Sequence, residues 1–273
     1  MNCPSRRDAA LAYLSGRLIK LLANSLRPAF YLHYWLFPSQ RFGLRDARPQ
    51  NTSKPGQSAQ SPTKPHTIPR IVWQTNYTNR VTLPLKAAWW WNRLLSADHD
   101  YRFQTTSERL AFIEQHFPGR ISDLYNRLTI GAAQADLWRL LVLYKYGGVY
   151  MDIDAHLVWP LHRIISAETP ELFLHYKDSA ATNYFIASRP KSQTIKALID
   201  EVLYRIENSQ STNIYEITGP SVFQEVLSER KHGWRFSHHT CLQGNFSNKF
   251  FQYIDKAEGH WTLEQKIHPA VQP

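Results

Sequence analysis

Two aspartates separated by one residue follow a short apolar run, and their type and spacing suggest chemistry. The run 149–153 predicts a β-strand, and side chains alternate along a strand, so Asp152 and Asp154 project to the same side. Two carboxylates at the carboxyl end of a strand suit a hard divalent cation such as Mg²⁺ or Mn²⁺. Open α/β sheets bind ligands at that end, so the pattern predicts a cation site that binds a nucleotide diphosphate.

The surroundings of this aspartate pair distinguish it from a second Asp-X-Asp in the chain. Asp98 and Asp100 lie in a polar stretch, which predicts a surface turn. The pair at 152 and 154 instead follows an apolar helix over 132–146, a Gly-Gly turn and an apolar strand. Carboxylates in apolar surroundings need a compensating partner, so this context favours a functional site.

A charged pair on the preceding helix is the next candidate. Asp136 and Arg139 are three residues apart and therefore share a face of a helix otherwise built of Leu, Val, Ala and Trp. One interpretation is a salt bridge along the edge of a buried helix. The other is a pair that reaches the site, with Asp136 accepting sugar hydroxyls and Arg139 contacting a diphosphate or sugar. Composition leaves both open.

The elements that position these residues alternate between strands and helices. Strands are predicted at 71–74, 101–103 and 149–153, and helices at 85–95, 107–116, 132–146, 192–207 and 221–229. Ser107 is the predicted cap of its helix, and the Gly-Gly turn is the predicted end of the helix over 132–146. This alternation predicts an α/β domain with a mostly parallel sheet flanked by helices.

The chain divides near residue 67, which predicts a helical segment over 1–45, a linker over 46–67 and a domain over 68–273. The linker contains four prolines among Ser, Thr, Gln and Asn. The N-terminal leucines recur at roughly helical spacing with basic residues between them, and aromatic residues follow: Leu11, Leu14, Leu18, Leu21, Leu22 and Leu26, then Phe30, Tyr31, Tyr34, Trp35 and Phe37. Two interpretations remain open: peripheral membrane contact through residues 9–38, or a helix that docks on the domain by its leucine face.

The distribution of charge argues against nucleic acid as the partner. The formal net charge is +10. Residues 1–67 hold ten basic and two acidic side chains, whereas residues 68–273 hold 22 and 20. The predicted domain is therefore nearly neutral, and the basic excess belongs to the N-terminal segment.

Composition excludes several other classes of protein. Two cysteines cannot make a disulfide scaffold or a four-cysteine zinc site, and they favour a reducing compartment. No apolar stretch reaches the length of a membrane-spanning helix, and Arg17, Lys20 and Arg27 interrupt what would be the core of a secretory signal. These observations predict a cytoplasmic protein, peripheral on the inner face of the cytoplasmic membrane if the N-terminal segment binds lipid.

Three separated blocks resemble the DXD-containing sugar-binding region of the glycosyltransferase family 32 enzymes. They are Pro69–Thr75, Ala135–Arg139 and Tyr144–Asp154, with weaker similarity at Asn183, Thr218–Pro220 and His260-Trp261. The family includes yeast initiating mannosyltransferases, vertebrate α-1,4-glycosyltransferases and bacterial capsule or lipooligosaccharide enzymes. Large clostridial glucosylating toxins are more distant. The resemblance implies a GT-A fold, a retaining mechanism and dependence on Mn²⁺ or Mg²⁺.

The resemblance also implies roles for individual residues. Trp73, Gln74 and Thr75 would line the nucleotide pocket, through backbone contacts and stacking of the base. Asp136 and Arg139 would bind the donor sugar and its phosphates, and Tyr150 would contact the diphosphate. Asp152 would contact the ribose and the metal, and Asp154 would bind the metal directly. His260 stands where the family often has a small hydroxyl residue, and its side chain is a further candidate metal ligand.

Together these observations predict transfer of a sugar from a UDP- or GDP-sugar to a glycan or lipid-linked acceptor hydroxyl, in bacterial surface polysaccharide synthesis. A toxin-like protein glycosyltransferase and a metal-dependent phosphohydrolase are the alternatives. The phosphohydrolase hypothesis does not account for the presence of the Trp73-Gln74 block.

Overall fold

A computed structural model describes residues 6–44, 67–178, 180–256 and 259–272. The helices are α1 (Arg6–Leu36), α2 (Leu83–Leu95), α3 (Thr106–His116), α4 (Arg120–Arg127), α5 (Gly131–Tyr146), α6 (Leu161–Ile164), α7 (Gln193–Asn208), α8 (Ile214–Ile217), α9 (Pro220–Ser228), α10 (Lys249–Gln252) and α11 (Trp261–Ile267). The strands are β1 (Phe42–Gly43), β2 (Ile71–Thr75), β3 (Arg80–Val81), β4 (Asp100–Gln104), β5 (Gly148–Met151), β6 (Ala155–Leu157), β7 (Glu171–His175), β8 (Ala181–Ser188), β9 (Trp234–Phe236) and β10 (Cys241–Gln243). Apart from Thr67, the predicted linker lies outside the described residues.

The central sheet has six strands in the order β4-β2-β5-β8-β7-β9. Strand β2 pairs in parallel with both β4 and β5, and β7 pairs in parallel with β9. Strand β8 is antiparallel to its neighbours β5 and β7. Five of the six strands therefore run in one direction, and the predicted mostly parallel α/β sheet is confirmed.

Alternation along the strands divides the core into two layers. Tyr150 and Phe173 contribute to the larger layer, beneath α3, α5, α7 and α9. Their neighbours Val149, Met151 and Leu172 face the other layer, which β6, α6 and Cys241 complete. Because successive side chains point to opposite faces, one short strand supplies both layers.

Helix α5 lies against the sheet and carries the predicted charged pair. Leu137, Trp138 and the run 140–143 have no solvent exposure. A helix that is apolar on nearly all sides must lie inside the protein, so any charged side chain on it has to find its partners within the fold.

Two glycines end α5 and begin β5. Gly147 has φ of 67° and Gly148 has φ of 106°, values that side chains rarely permit. A Cβ on Gly148 would lie 2.6 Å from the carbonyl oxygen of Ile71. Trp73 Nε1 donates to the Gly147 carbonyl oxygen at 2.9 Å, so the turn is fastened directly to β2.

We expect Gly148→Ala to lower the free energy of unfolding by more than about 2 kcal/mol, because it adds both backbone strain and a clash with Ile71. Urea denaturation measures the effect. Gly43→Ala is the matched control, since a Cβ there would contact nothing within 4 Å. Equal losses in both variants would show that the tight approach of β5 to β2 carries no special cost.

Two sequence-based predictions of local structure are wrong. The cap of α3 is Thr105 rather than Ser107, and Thr105 forms a capping box with Glu108. Strand β5 ends at Met151 rather than at Ile153, because the chain turns there and the Ala155 amide donates to the Asp152 carbonyl oxygen at 3.0 Å. Both aspartates therefore lie beyond the strand, in the turn that leads to β6.

Helix α1 packs on the domain, and of its six predicted leucines Leu26 takes part in the contact. Ile19 and Ala23 join a buried cluster with Ala88, Val158 and Phe246. Leu11, Leu14, Leu18, Leu21 and Leu22 are exposed, so the prediction that α1 docks by its leucine face is wrong for these five. Within the described residues, no helix combines the length and the hydropathy needed to cross a membrane.

Candidate active site

Asp152 and Asp154 converge in the turn that follows the carboxyl end of β5. Gln243 Nε2 donates to Asp152 Oδ2 at 3.1 Å and to Asp154 Oδ1 at 3.0 Å. Gln243 reaches them because β10 pairs antiparallel with β6, which places Gln243 opposite Ala155. One amide group thus occupies the point between the two carboxylates.

The pKa of Asp154 is shifted by its buried position next to Asp152. Burial, followed by the negative charge of Asp152, raises the pKa of Asp154 to about 7. A like charge next to a carboxylate disfavours ionisation, and the hydrogen bond from Gln243 offsets only part of that effect. A positive charge bound between Asp152 and Asp154 would therefore stabilise the ionised form of both carboxylates.

The chemistry of the donor set fits Mg²⁺ or Mn²⁺. Carboxylate oxygens are the ligands that such hard cations prefer, and Mg²⁺ in particular is commonly bound by one or two carboxylates together with waters and substrate phosphates. Within the described residues, no group of three or more His, Cys, Asp or Glu side chains has a geometry that could hold a metal ion. A cation here would therefore take its remaining ligands from the substrate and from water.

Arg139 links the helix to the aspartate turn. Its NH2 lies 2.9 Å from Asp136 Oδ1 and 3.4 Å from Asp152 Oδ1. Its NH1 donates to the Asn183 carbonyl oxygen at 2.6 Å, and the guanidinium lies 4.4 Å from the centroid of the Tyr150 ring. The side chain is buried, so these contacts fix a positive charge beside the carboxylates.

Asp136 lies behind Arg139 and is fully engaged by protein groups. Oδ1 also accepts from Asn183 Nδ2 at 3.0 Å, and Oδ2 accepts from Thr218 Oγ1 at 2.9 Å. Burial raises the pKa of Asp136 to about 6, even though the charge of Arg139 lowers it. The charged pair is therefore a buried salt bridge from which Arg139 also reaches Asp152, and the contacts of both residues with a donor sugar or diphosphate stay predictions.

Tyr150 is part of the same network. Its hydroxyl donates to Asp152 Oδ1 at 2.5 Å, while Gln243 donates to the other oxygen of that carboxylate. The orientation of Asp152 is thus set from both sides. The Tyr150 hydroxyl thus donates its proton to Asp152, the carboxylate that is predicted to contact the ribose and the metal.

Trp73 lies next to the site but in the core. Its side chain is only 3% exposed and stacks on Tyr146 with 5.8 Å between ring centroids. The indole also donates a hydrogen bond to the Gly147 carbonyl oxygen. A nucleotide base could stack on Trp73 only if the ring separated from Tyr146 and the surrounding core. Backbone contact to a nucleotide stays a prediction.

Gln74 and Thr75 end β2, beside the aspartate turn. Gln74 Nε2 donates to the Asp152 carbonyl oxygen at 3.5 Å, and Gln74 Oε1 is buried without a hydrogen-bond partner among the described residues. Such an orphaned acceptor carries a desolvation cost that a ligand donor would relieve. Thr75 Oγ1 instead donates to the Gln104 carbonyl oxygen at 2.7 Å and accepts from Arg109 NH1 at 3.0 Å.

His260 caps the N-terminus of α11. Its Nδ1 accepts from the Thr262 amide at 3.3 Å and lies 2.6 Å from Thr262 Oγ1. A neutral imidazole whose Nδ1 accepts must carry its proton on Nε2. Metal ligation by Nε2 would require the ring to give up this cap, whereas an Nε2–H donor to a ligand oxygen is compatible with it.

Sequence reasoning missed Gln243, Arg109 and Tyr253 at the site. Arg109 is buried and holds Thr75, and the pKa of Tyr253 is raised by burial and by the charges of Asp154 and Asp152. Gln243 and Tyr253 come from a part of the chain with no apolar periodicity, so no local pattern points to them. The other aspartate pair is remote: Asp100 is exposed at the start of β4 and pairs with Arg102.

Residues 86–171 match the family model described as the glycosyltransferase sugar-binding region containing a DXD motif. The match contains Asp136, Arg139, Asp152 and Asp154. It confirms the predicted resemblance in this region, whereas the block Pro69–Thr75 and the C-terminal similarities lie outside it.

Curated relatives match over part of their length. Inositol phosphoceramide mannosyltransferase 3 of Schizosaccharomyces pombe is 32% identical over 87 residues, which is 32% of this chain and 24% of the relative. A mannosyl phosphorylinositol ceramide synthase of Saccharomyces cerevisiae is 30% identical over 34% of this chain and 24% of its own length. An uncharacterised glycosyltransferase of Acanthamoeba polyphaga mimivirus is 23% identical over 59% of this chain and 65% of its own. The chain thus spans less than two thirds of each.

A solved structure shares the fold. The PaToxG glycosyltransferase superposes with a TM-score of 0.51 and 18% identity, covering 61% of this chain and 70% of that chain. This likeness confirms the predicted GT-A fold.

Proposed function

We propose that this chain, whose residues 86–171 carry a DXD sugar-binding region, transfers a sugar from a UDP- or GDP-sugar to an acceptor hydroxyl. The observation that carries the proposal is the convergence of Asp152 and Asp154 on a single point, beside the buried cation of Arg139. A nucleotide-sugar donor is an anion whose leaving group gains negative charge during transfer. This site offers a buried guanidinium and two carboxylates that could hold a divalent cation, and both positive charges would stabilise that leaving group.

A divalent cation held by Asp152 and Asp154 would bind the diphosphate and stabilise its charge as it leaves. The protein's own contribution is preorganisation. Arg139 is held by Asp136 and by the Asn183 carbonyl oxygen, so its guanidinium does not have to reorganise when charge develops nearby. Tyr150 and Gln243 orient Asp152 in the same way.

We propose retention at the anomeric carbon by front-face attack. The bond from the anomeric carbon to the phosphate oxygen breaks, the bond to the acceptor oxygen forms on the same face, and the leaving phosphate oxygen takes the acceptor's proton. Asp136, the buried carboxylate beside Arg139, is unsuited to be a covalent nucleophile, because hydrogen bonds from Asn183 and Thr218 and the ion pair with Arg139 engage both of its oxygens.

For the acceptor we propose a glycan or a lipid-linked sugar. Two of the relatives are named for mannosyl transfer to inositol phosphoceramide lipids, which favours lipid-linked acceptors and mannosyl donors among the first compounds to test. Synthesis of bacterial surface polysaccharide at the inner face of the cytoplasmic membrane stays a prediction from sequence.

A panel of UDP- and GDP-sugars incubated with Mn²⁺ or Mg²⁺ tests the proposal. We expect one donor to be hydrolysed slowly to the free sugar and the nucleoside diphosphate, with water as the acceptor, and chelation with EDTA to stop the reaction. Proton NMR of the first-formed anomer reports retention. Release of inorganic phosphate would instead favour a phosphohydrolase, and hydrolysis that continues in EDTA would contradict the cation site.

A further inference from the structure

Helix α1 has two apolar faces, and only one of them is covered. Ala12, Ile19, Ala23 and Phe30 are buried against the domain. At 100° per residue these four positions fall within a narrow sector of the helix. Gly16 lies in the same sector, and its backbone passes close to Val158.

The opposite face is an exposed leucine stripe, interrupted between Leu22 and Leu32 by Ser25 and Ala29. Its members are Leu11, Leu14, Leu18, Leu21, Leu22, Leu32 and Leu36, all exposed. Leu18 is 66% exposed, which is high for the middle of a helix. From Leu11 to Leu36 the stripe extends about 38 Å along the helix axis at 1.5 Å per residue. An exposed apolar surface of this length marks a contact site.

The charge of this segment indicates which kind of surface the stripe meets. Residues 9–44 contain four basic side chains and no acidic ones. Arg17 lies beside the stripe and Lys20 lies further round, on the flank between the two faces, and both are exposed. A second copy of the chain would bring like charges together, whereas a bilayer with anionic headgroups would attract them.

Aromatic side chains mark the C-terminal end of α1. Trp35 is 76% exposed, and Phe37 is exposed as well. Aromatic side chains at the end of a basic amphipathic helix are typical of the interfacial region of a membrane.

The same end of α1 contacts the segment that borders the candidate active site. Tyr31 accepts a hydrogen bond from Asn248 Nδ2 at 2.9 Å and packs on Phe250. Arg41, which follows α1 in the chain, pairs with Asp255 at 2.6 Å. Tyr253 lies between Phe250 and Asp255 in the sequence, and its pKa is raised by burial and by the negative charges of Asp154 and Asp152.

We propose that α1 lies in the headgroup region of an anionic bilayer with its leucine stripe towards the acyl chains, while its buried face holds the domain at the membrane surface. The C-terminal end of α1 then brings the segment beside the aspartate turn close to the lipid. Binding does not require sugar transfer, so the proposal extends beyond the proposed function and is independent of it.

Flotation of the full chain with vesicles tests this proposal. We expect the protein to float with vesicles of phosphatidylcholine and phosphatidylglycerol and to float less with phosphatidylcholine alone. The triple variant Leu14→Glu/Leu18→Glu/Leu21→Glu should lower the floated fraction at least about tenfold, because three charges would enter the apolar layer. Arg17→Gln/Lys20→Gln should remove most of the preference for phosphatidylglycerol.

The controls separate this proposal from a folding defect and from the proposed function. Tyr204→Glu places a charge on an exposed aromatic residue of α7 and should float like the parent. Circular dichroism of every variant should match that of the parent. Flotation needs no donor, so it remains informative even if no sugar is transferred.

Three outcomes would overturn the proposal. The parent protein could remain unbound to anionic vesicles, or the triple variant could float as well as the parent. The third is a dimer in analytical ultracentrifugation that the triple variant dissociates, combined with no flotation by the parent. That result would assign the stripe to a second copy of the chain.

Discussion

Asp154→Asn is expected to lower sugar transfer by about a hundredfold or more while leaving the fold intact. Asparagine has nearly the same shape, and its carbonyl oxygen can still accept from Gln243 Nε2, as Asp154 Oδ1 does at 3.0 Å. What is lost is the negative charge that binds a divalent cation. Because the pKa of Asp154 is raised to about 7 by burial and by Asp152, the variant should unfold at no lower urea concentration than the parent.

The matched control is Asp100→Asn, in the other Asp-X-Asp. Asp100 is exposed and pairs with Arg102 at the far end of the sheet, so its replacement should leave transfer unchanged. Initial rates with saturating donor, together with the dependence on Mn²⁺ concentration, measure both variants. Transfer by Asp154→Asn at the parental rate would show that the aspartate turn does not hold the cation.

Arg139→Met is expected to lower the free energy of unfolding by about 3–5 kcal/mol. The substitution leaves the carboxylate of Asp136 buried without its ion-pair partner, although Asn183 and Thr218 still donate to it. Arg139→Lys keeps the charge but not the planar contacts to Asp136 and to the Asn183 carbonyl oxygen, so its loss should be intermediate. Urea denaturation measures all three proteins.

The loss in Arg139→Met should depend on pH. Burial already raises the pKa of Asp136 to about 6, and removing the positive charge raises this pKa further. A carboxyl group with a folded-state pKa above its unfolded value favours the folded state when protonated, so the unfolding free energy should fall as pH rises through that pKa. Asp136→Asn/Arg139→Met should recover part of the stability and show less pH dependence. A loss that is the same at every pH would contradict the buried-charge explanation.

The sequence predicts those parts of the site that depend on local periodicity. Strand β2, helix α5 and its Gly-Gly ending follow from apolar spacing and glycine chemistry, which act within one element. Asp152 and Asp154 share a contact with Gln243, although they lie in the turn after β5 rather than at alternate positions of the strand. Strand β5 nevertheless ends earlier than predicted, because the turn to β6 depends on pairing with β10 rather than on the residues of the strand itself.

The remaining features depend on long-range contacts. Gln243 comes 89 positions after Asp154, and only the pairing of β10 with β6 brings it to the carboxylates. Helix α1 has apolar residues on two faces, so periodicity alone could not decide which face packs on the domain. Ala12, Ala23 and Gly16 permit close approach to the domain beside the buried Ile19 and Phe30, whereas the leucines of the stripe remain exposed.

The hydrogen bonds of Asp136 have a consequence for how the protein folds. Asn183 and Thr218, which donate to this carboxylate, lie 47 and 82 positions further along the chain. Until both residues have been synthesised, burial of the Asp136 carboxylate lacks two of its hydrogen bonds and is unfavourable. The core around α5 is therefore not expected to pack early in folding. The candidate site is therefore expected to form together with the rest of the domain, and a chain that stops before Thr218 should remain open to proteases.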